Sequence, residues 1–365
     1  MLPRYLIDGF HAASLENNPV GSPAERFAHI YLPPGYYEEQ DRSYPVNYLL
    51  HGHGGNCRKV TVSNSSDIDK LAGFLPPELL AQVDTARLPT YTRLDELIAS
   101  GELKPFILVQ PDGSLHLPKI DHSKDLITGE PATKGSFYIN SPFTGNFEDH
   151  IINDVIGYID SHYRTAADRS HRAVVGESMG GYGALSLSLH HPNEFAAVAA
   201  LSPANFTVDH LSWKLRMPIL EKLLGAKAGA DVSDLWLSDI LDTLDLVYSH
   251  DAPLVPSVRR DASGKINSYD PGAAAAWARY DLNNMIDSVS SPFKGVSLLI
   301  NCDKSDDFGL GGEVARIHET LVRNHIKHEF DLYSDPAAVL SPHMFGIAYH
   351  IIPAICFCSQ IISED

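Results

Sequence analysis

Between about residue 45 and residue 202, short apolar runs alternate with stretches whose apolar residues recur every three to four positions. Residues 44–50 (Tyr-Pro-Val-Asn-Tyr-Leu-Leu) form a β-rich run that predicts a central strand. Residues 105–110 predict a short buried strand ended by Pro111-Asp112-Gly113. Ile151, Ile152, Val155, Ile156 and Ile159 keep helical spacing, with Asn153 and Asp154 on the opposite, solvated face. An apolar run at 172–176 leads into a helix carrying Leu185, Leu187 and Leu189, and residues 195–201 predict another strand, closed by Ser202-Pro203. Ahead of this block, residues 27–34 alternate weakly and end in two prolines, which predicts an edge strand. Strand and helix in turn, with strands apolar throughout, predict an α/β chain with a mostly parallel central sheet and helices on both faces.

Elsewhere the pattern is looser. Leu71 to Phe74, Leu79, Leu80 and Val83 suggest a helix broken by Pro76 and Pro77, and 92–100 a second helix; 114–134 has no periodicity and reads as a surface loop. Alternation lapses over 207–292, which holds helical patches at 219–224, 235–246 and 273–278 and a polar stretch at 259–265. This segment reads as a helical insertion over the strand ends, either a lid or a peripheral decoration. The sheet resumes at 295–301. A helix with Val314, Ile317, Leu321 and Val322 on one face, a last strand at 328–333 and an apolar helix over 344–362 complete the chain.

The 365 residues suit one α/β domain, 1–365, with the 207–292 insertion inside it. A net charge of −18 disfavours nucleic acid and anionic membranes as partners. No apolar run reads as long enough to span a bilayer. Cys57, Cys302, Cys356 and Cys358 lack metal spacing and read as free thiols. With no apolar leader at the start, the chain reads as cytoplasmic, a secreted form trimmed of its signal being the alternative.

The chemistry gathers at Gly176-Glu177-Ser178-Met179-Gly180, which fits the G-x-S-x-G nucleophile elbow. A serine on a tight strand-to-helix turn leaves no room for side chains two residues to either side. The turn also frees the Met179 N–H at a helix start, where developing negative charge is favoured. Serine needs a base, and the base an orienting carboxylate. In an open α/β sheet such groups lie beyond the carboxyl ends of strands. The loop after 296–301 offers Asp303, Asp306 and Asp307; Asp306 is preferred, with Asp307 in reserve. His343 is the base, beside a helix start capped by Ser341 with Pro342 in its first position, where the helix terminus disfavours imidazolium. His328 and His350 read as structural. His51-Gly52-His53-Gly54-Gly55-Asn56 is a glycine-rich loop after a buried strand, and the His53 N–H is the second oxyanion donor. His51, Gly54, Glu177 and Tyr138 are candidates for substrate contact. His51-x-His53 without a neighbouring carboxylate is a weak metal signal, so neither metal nor cofactor is expected.

Together these segments resemble the esterase family that includes esterase D (S-formylglutathione hydrolase), bacterial tributyrin esterases and feruloyl esterases. The resemblance covers residue 31 to about 202 and 295 to the C-terminus. It rests on Tyr31-Leu32-Pro33-Pro34-Gly35-Tyr36, residues 50–56, Pro111-Asp112-Gly113, residues 159–165 and the run from Gly176 to Leu185. It implies an α/β-hydrolase fold, with the insertion between the sixth and seventh core strands. It also implies a serine carboxylic ester hydrolase acting through an acyl-enzyme on small-molecule esters, short-chain or aryl, with a homo-oligomer as one possible assembly. Family members carry the acid in a Gly-x-x-Asp loop, where Asp306 matches the acid and Asp303 replaces the glycine. Pro342 and Met344, flanking His343, also depart from the family pattern. An acyltransferase on the same scaffold, as in the related mycolyltransferases, and a non-catalytic binding module are the alternatives.

Overall fold

Val46–Leu50, Ile107–Pro111, Arg172–Glu177 and Ala197–Leu201 are buried on both faces, as expected of strands with no polar side. They form the middle of an eight-stranded sheet in the computed structural model, which describes residues 3–56, 61–63, 75–119, 121, 131–207, 232–249, 256–262 and 266–363. The strands are β1 (Tyr5–His11), β2 (Glu25–Tyr31), β3 (Val46–Leu50), β4 (Ile107–Pro111), β5 (Arg172–Glu177), β6 (Ala197–Leu201), β7 (Ser297–Asp303) and β8 (Glu329–Tyr333). Their order is β1-β2-β4-β3-β5-β6-β7-β8. Every neighbouring pair from β4 through β8 is parallel, while β2 runs antiparallel to both β1 and β4. The carboxyl ends of β3, β5 and β7 therefore lie along one rim of the sheet.

Successive residues of each strand point to opposite layers. Leu49, Leu108, Val175 and Ala199 meet α1 (Tyr91–Ala99) and α8 (Met344–Ile362). Leu50, Val109, Val174 and Val198 meet α2 (Ile156–His162) and α3 (Met179–His190) on the other face, where α7 (Leu310–Arg323) adds Val314, Ile317 and Leu321. The insertion contributes α4 (Val232–Tyr248), a short hairpin of Val258–Arg260 with Ile266–Tyr269, α5 (Pro271–Ala278) and α6 (Leu282–Ser288). Its place in the chain is between the sixth and seventh strands of the sheet.

Several expectations need correction. Residues 27–34 do not form an edge: β2 is paired on both sides, because Tyr5–His11 lies outside it. That outer strand escapes a hydropathy reading because it is largely exposed, with only Phe10 buried. The 114–134 segment is not all surface loop, since Ser114–Leu115 pairs with Lys134–Gly135 and these four residues are buried. Of the polar 259–265 stretch, Arg259 and Arg260 lie in a short strand paired with Ser268 and Ile266, and residues 263–265 lie outside the described residues. The helical turns expected at 71–74 and 219–224 lie outside the described residues. By length and composition α8 could cross a bilayer, contrary to the expectation of no such run; its apolar side is instead laid on β3, β5, β6 and β7. A helix covering an all-apolar parallel sheet must be apolar on a wide face itself.

Candidate active site

The elbow is built where β5 turns into α3. Ser178 sits at φ 52°, ψ −116°, a conformation that costs a non-glycine residue about 1–3 kcal/mol. Backbone bonds over-determine it: the Ser178 N–H donates to Leu201 O (2.8 Å), and Ser178 O accepts from Tyr182 N (3.1 Å) and Ala204 N (2.9 Å). The flanking glycines are a packing requirement. A Cβ on Gly176 would lie 1.9 Å from Gly180 O, and one on Gly180 would lie 2.0 Å from Leu50 O.

His343 comes to this serine from the other end of the chain. Its Nε2 is 3.0 Å from Ser178 Oγ and its Nδ1 is 2.6 Å from Asp306 Oδ2. Asp306 is fully buried, and its second oxygen accepts from Phe308 N at 2.9 Å. With Nδ1–H donating to Asp306, Nε2 is left to accept the serine proton. Asp307 points the other way. Its Oδ2 accepts from the His343 backbone N–H (3.0 Å) and from Ser341 Oγ (2.6 Å), holding the start of α8. Ser341 Oγ accepts in turn from Met344 N at 3.1 Å; α8 begins at Met344 with His343 at its N-cap, so Ser341 and Pro342 lie ahead of the helix rather than at its cap and first position. Asp303 is taken up elsewhere, accepting from Ser305 N and Asp335 N to tie the loops after β7 and β8 together. His350 stacks on Tyr333, and His328 faces His318.

Burial pulls the His343 imidazole toward the neutral form, but Asp306, with smaller pulls from Asp307 and Glu177, outweighs it and raises its pKa above 6.5. This direction is opposite to the neutral bias expected from the helix start, and its main cause is the Asp306 carboxylate at 2.6 Å.

The glycine-rich loop after β3 runs alongside the serine. A Cβ on Gly52 would lie 3.3 Å from Ser178 Cβ, so the loop carrying His53, the expected second oxyanion donor, runs against the nucleophile, while the Met179 amide follows the serine at the first position of α3. Glu177 braces this loop by accepting from Gly52 N (3.2 Å) and Thr61 Oγ1 (2.6 Å). His51 and Tyr138, expected at the substrate, lie beneath the loop. His51 is 5% exposed; its Nδ1–H donates to Gly52 O (2.8 Å) and its Nε2 accepts from Gly113 N (3.0 Å). Both ring nitrogens are thus used in support of the backbone, and burial lowers its pKa. Tyr138 is fully buried and donates to His51 O at 3.0 Å. Gly54 lies on the open side at φ +78°, with nothing within 4 Å of where a Cβ would stand. No cluster of metal-ligating side chains occurs among the described residues.

Two further residues reach the loop without any signal in the sequence. His53 Nε2 is 3.2 Å from Asp239 Oδ2 on α4, and Lys134 bonds the other oxygen of Asp239 and pairs with Asp121 Oδ2 at 3.1 Å. A lone lysine in a polar segment and an aspartate on an insertion helix carry no motif; only the tertiary fold brings them together.

The family model Esterase, described as "Putative esterase", matches residues 23–325. An endo-1,4-beta-xylanase/feruloyl esterase of Xylanibacter ruminicola is 30% identical over 188 residues, covering 50% of this chain and 20% of the relative. An esterase of Mycobacterium tuberculosis is 29% identical over 183 residues, covering 49% and 29%. The chain thus spans less than a third of the length of these curated relatives. Among solved structures, a ferulic acid esterase superimposes with a TM-score of 0.59 at 18% identity over 98% of both chains. An S-formylglutathione hydrolase from Agrobacterium tumefaciens gives 0.53 at 19% identity, over 98% of this chain and 94% of its own. These likenesses establish the α/β-hydrolase fold. The family match runs over most of the chain, and the chain belongs to this esterase family.

Proposed function

We propose that the protein is a serine-dependent carboxylic ester hydrolase working through an acyl-enzyme on esters of short-chain or aromatic acids, hydroxycinnamates included. The observation that carries the reading is the unbroken relay from Asp306 Oδ2 through both nitrogens of His343 to Ser178 Oγ, with contacts of 2.6 and 3.0 Å. Such a relay is what a weakly nucleophilic hydroxyl needs and what a binding module does not.

In this reading His343 Nε2 takes the Ser178 proton as Oγ attacks the ester carbonyl. Negative charge moves to the carbonyl oxygen, where the Met179 and His53 amides receive it. His343 then gives its proton to the leaving alkoxide, the C–O bond breaks, and the acyl group stays on Ser178. Water, deprotonated by the same nitrogen, attacks the acyl-enzyme and releases the acid. Positioned proton transfer contributes roughly 10² to 10⁴ in rate, and each oxyanion donor about 3–4 kcal/mol. Family membership and the ferulic acid esterase likeness support the aromatic end of the substrate range.

The test is a panel of p-nitrophenyl esters of increasing acyl length together with methyl ferulate, run on wild type and Ser178→Ala. We expect a burst of p-nitrophenol from wild type and its loss in the variant. Equal rates from the two proteins would exclude Ser178 as nucleophile. Product analysis with an added alcohol distinguishes hydrolysis from acyl transfer.

A further inference from the structure

The insertion touches the oxyanion loop through a side-chain cluster that stands apart from the Asp306–His343–Ser178 relay. The side chains of His53 and Lys134 are each only 10% exposed, and Asp239 on α4 lies between them. The ring of His53 is also packed from behind: a Cβ on Gly135 would lie 2.6 Å from His53 Nδ1 and 2.4 Å from Met179 Sδ. The side chains of His53 and Met179, the two residues whose amides the functional reading assigns to the oxyanion, thus rest on the Lys134–Gly135 ribbon, and one of them is tied to the insertion.

The backbone explains why such a tie matters. Gly52 is fixed by Glu177, and Gly55 N closes the turn on Gly52 O at 3.1 Å. Between them Gly54 sits at φ +78°, which glycine adopts without strain, and its carbonyl accepts from Thr133 Oγ1 at 3.5 Å. The His53 ring, bonded to Asp239, is the further tether that the insertion adds to this turn. We propose that Asp239 is a positioning residue: by holding the His53 ring through Nε2 it fixes the His53 backbone N–H toward Ser178, so that the insertion supports catalysis without touching substrate. The inference rests on the ester-hydrolase reading above.

An oxyanion donor acts in the transition state, so its misplacement lowers kcat with little change in KM. The test is a double-mutant cycle with Asp239→Ala, His53→Ala and the pair, assayed on p-nitrophenyl acetate across pH. Each single variant should lose roughly ten- to hundredfold in kcat. KM and the acid limb set by His343 should hold, and the pair should lose no more than one single variant does, because both remove one constraint. Isosteric Asp239→Asn, which still offers an acceptor to Nε2–H, should recover part of the rate and serves if the alanine variant does not fold. A folded Asp239 variant with the wild-type kcat overturns the inference, as do losses that multiply in the pair. Wild type lacking Ser178-dependent turnover would instead overturn the functional reading itself.

Discussion

Asp306 and Asp307 are neighbours in sequence, yet each holds a different part of His343, one the ring and the other the backbone N–H. This division predicts different phenotypes. Asp306→Asn should lower kcat by roughly 10⁴, because the amide no longer holds the Nδ1–H tautomer. Asp307→Asn keeps an acceptor for the backbone N–H and should lose far less, so comparable losses in single-turnover assays would refute the assignment. The pH profile tests the electrostatics. Only neutral His343 can accept the serine proton, so kcat/KM should fall as pH drops through a pKa that lies above 6.5. Glu177→Gln retains an acceptor for Gly52 N and Thr61 Oγ1 but removes a charge that raises this pKa. Its acid limb should move to lower pH while the plateau rate is nearly kept; a limb that stays in place or moves upward would refute the role of Glu177. Among these residues, the serine is legible because backbone crowding demands glycines around it. The choice between two adjacent carboxylates depends on a bend in the loop after β7 that no residue type records.

At the scale of elements, the parts that the sequence makes legible are those with one physical cause. Strands β3 to β7 read as apolar runs because both their faces are covered, and α2 and α7 read from their periodicity because one face is covered. Strand β1 is illegible because it stands at the end of the sheet, paired with β2 on one side, and its side chains stay mostly in solvent. Lys134–Gly135 escaped because two residues are too few to make a pattern. The elbow gives the sharpest element-level prediction. Gly176→Ala places a methyl 1.9 Å from Gly180 O, on backbone that cannot yield without moving β5 from α3. We expect a loss of at least about 3 kcal/mol, beyond ordinary overpacking, read as a lower midpoint in urea unfolding. At Gly54, where space is open, alanine faces only the cost of its positive φ, about 1 kcal/mol. Equal losses at the two positions would show that the elbow is not held by contact.

Across the whole molecule, the rim that gathers Ser178, Asp306 and His343 is fed by one continuous sheet, and the 207–292 segment packs Leu244, Trp277 and Ile286 into the same core while adding polar contacts that a hydropathy pattern cannot show. Inside the segment, one polar contact titrates. Asp245 on α4 is 5% exposed, and its Oδ2 accepts from Ser257 N (2.8 Å) and Ser257 Oγ (3.0 Å), fastening α4 to the chain that enters the hairpin. Burial raises its pKa to about 6, and the Ser257 bonds offset only part of that rise. The folded carboxyl therefore holds its proton more tightly than the unfolded one, for which 3.8 is the reference value. Below that value both states are protonated and the favourable contribution is complete; as pH climbs to about 6 the unfolded chain ionises first and the contribution is lost. Two pKa units correspond to roughly 3 kcal/mol. Asp245→Asn keeps an acceptor for Ser257 and cannot titrate, so its own pH-independent offset cancels when pH values are compared. Urea unfolding of the two proteins from pH 4 to pH 7 should show the wild type losing up to about 3 kcal/mol relative to the variant, with hydrogen exchange placing the loss in α4 and the hairpin. A difference that stays constant across that range would mean that Asp245 carries its charge into the fold without cost, and that the insertion is fastened by other means.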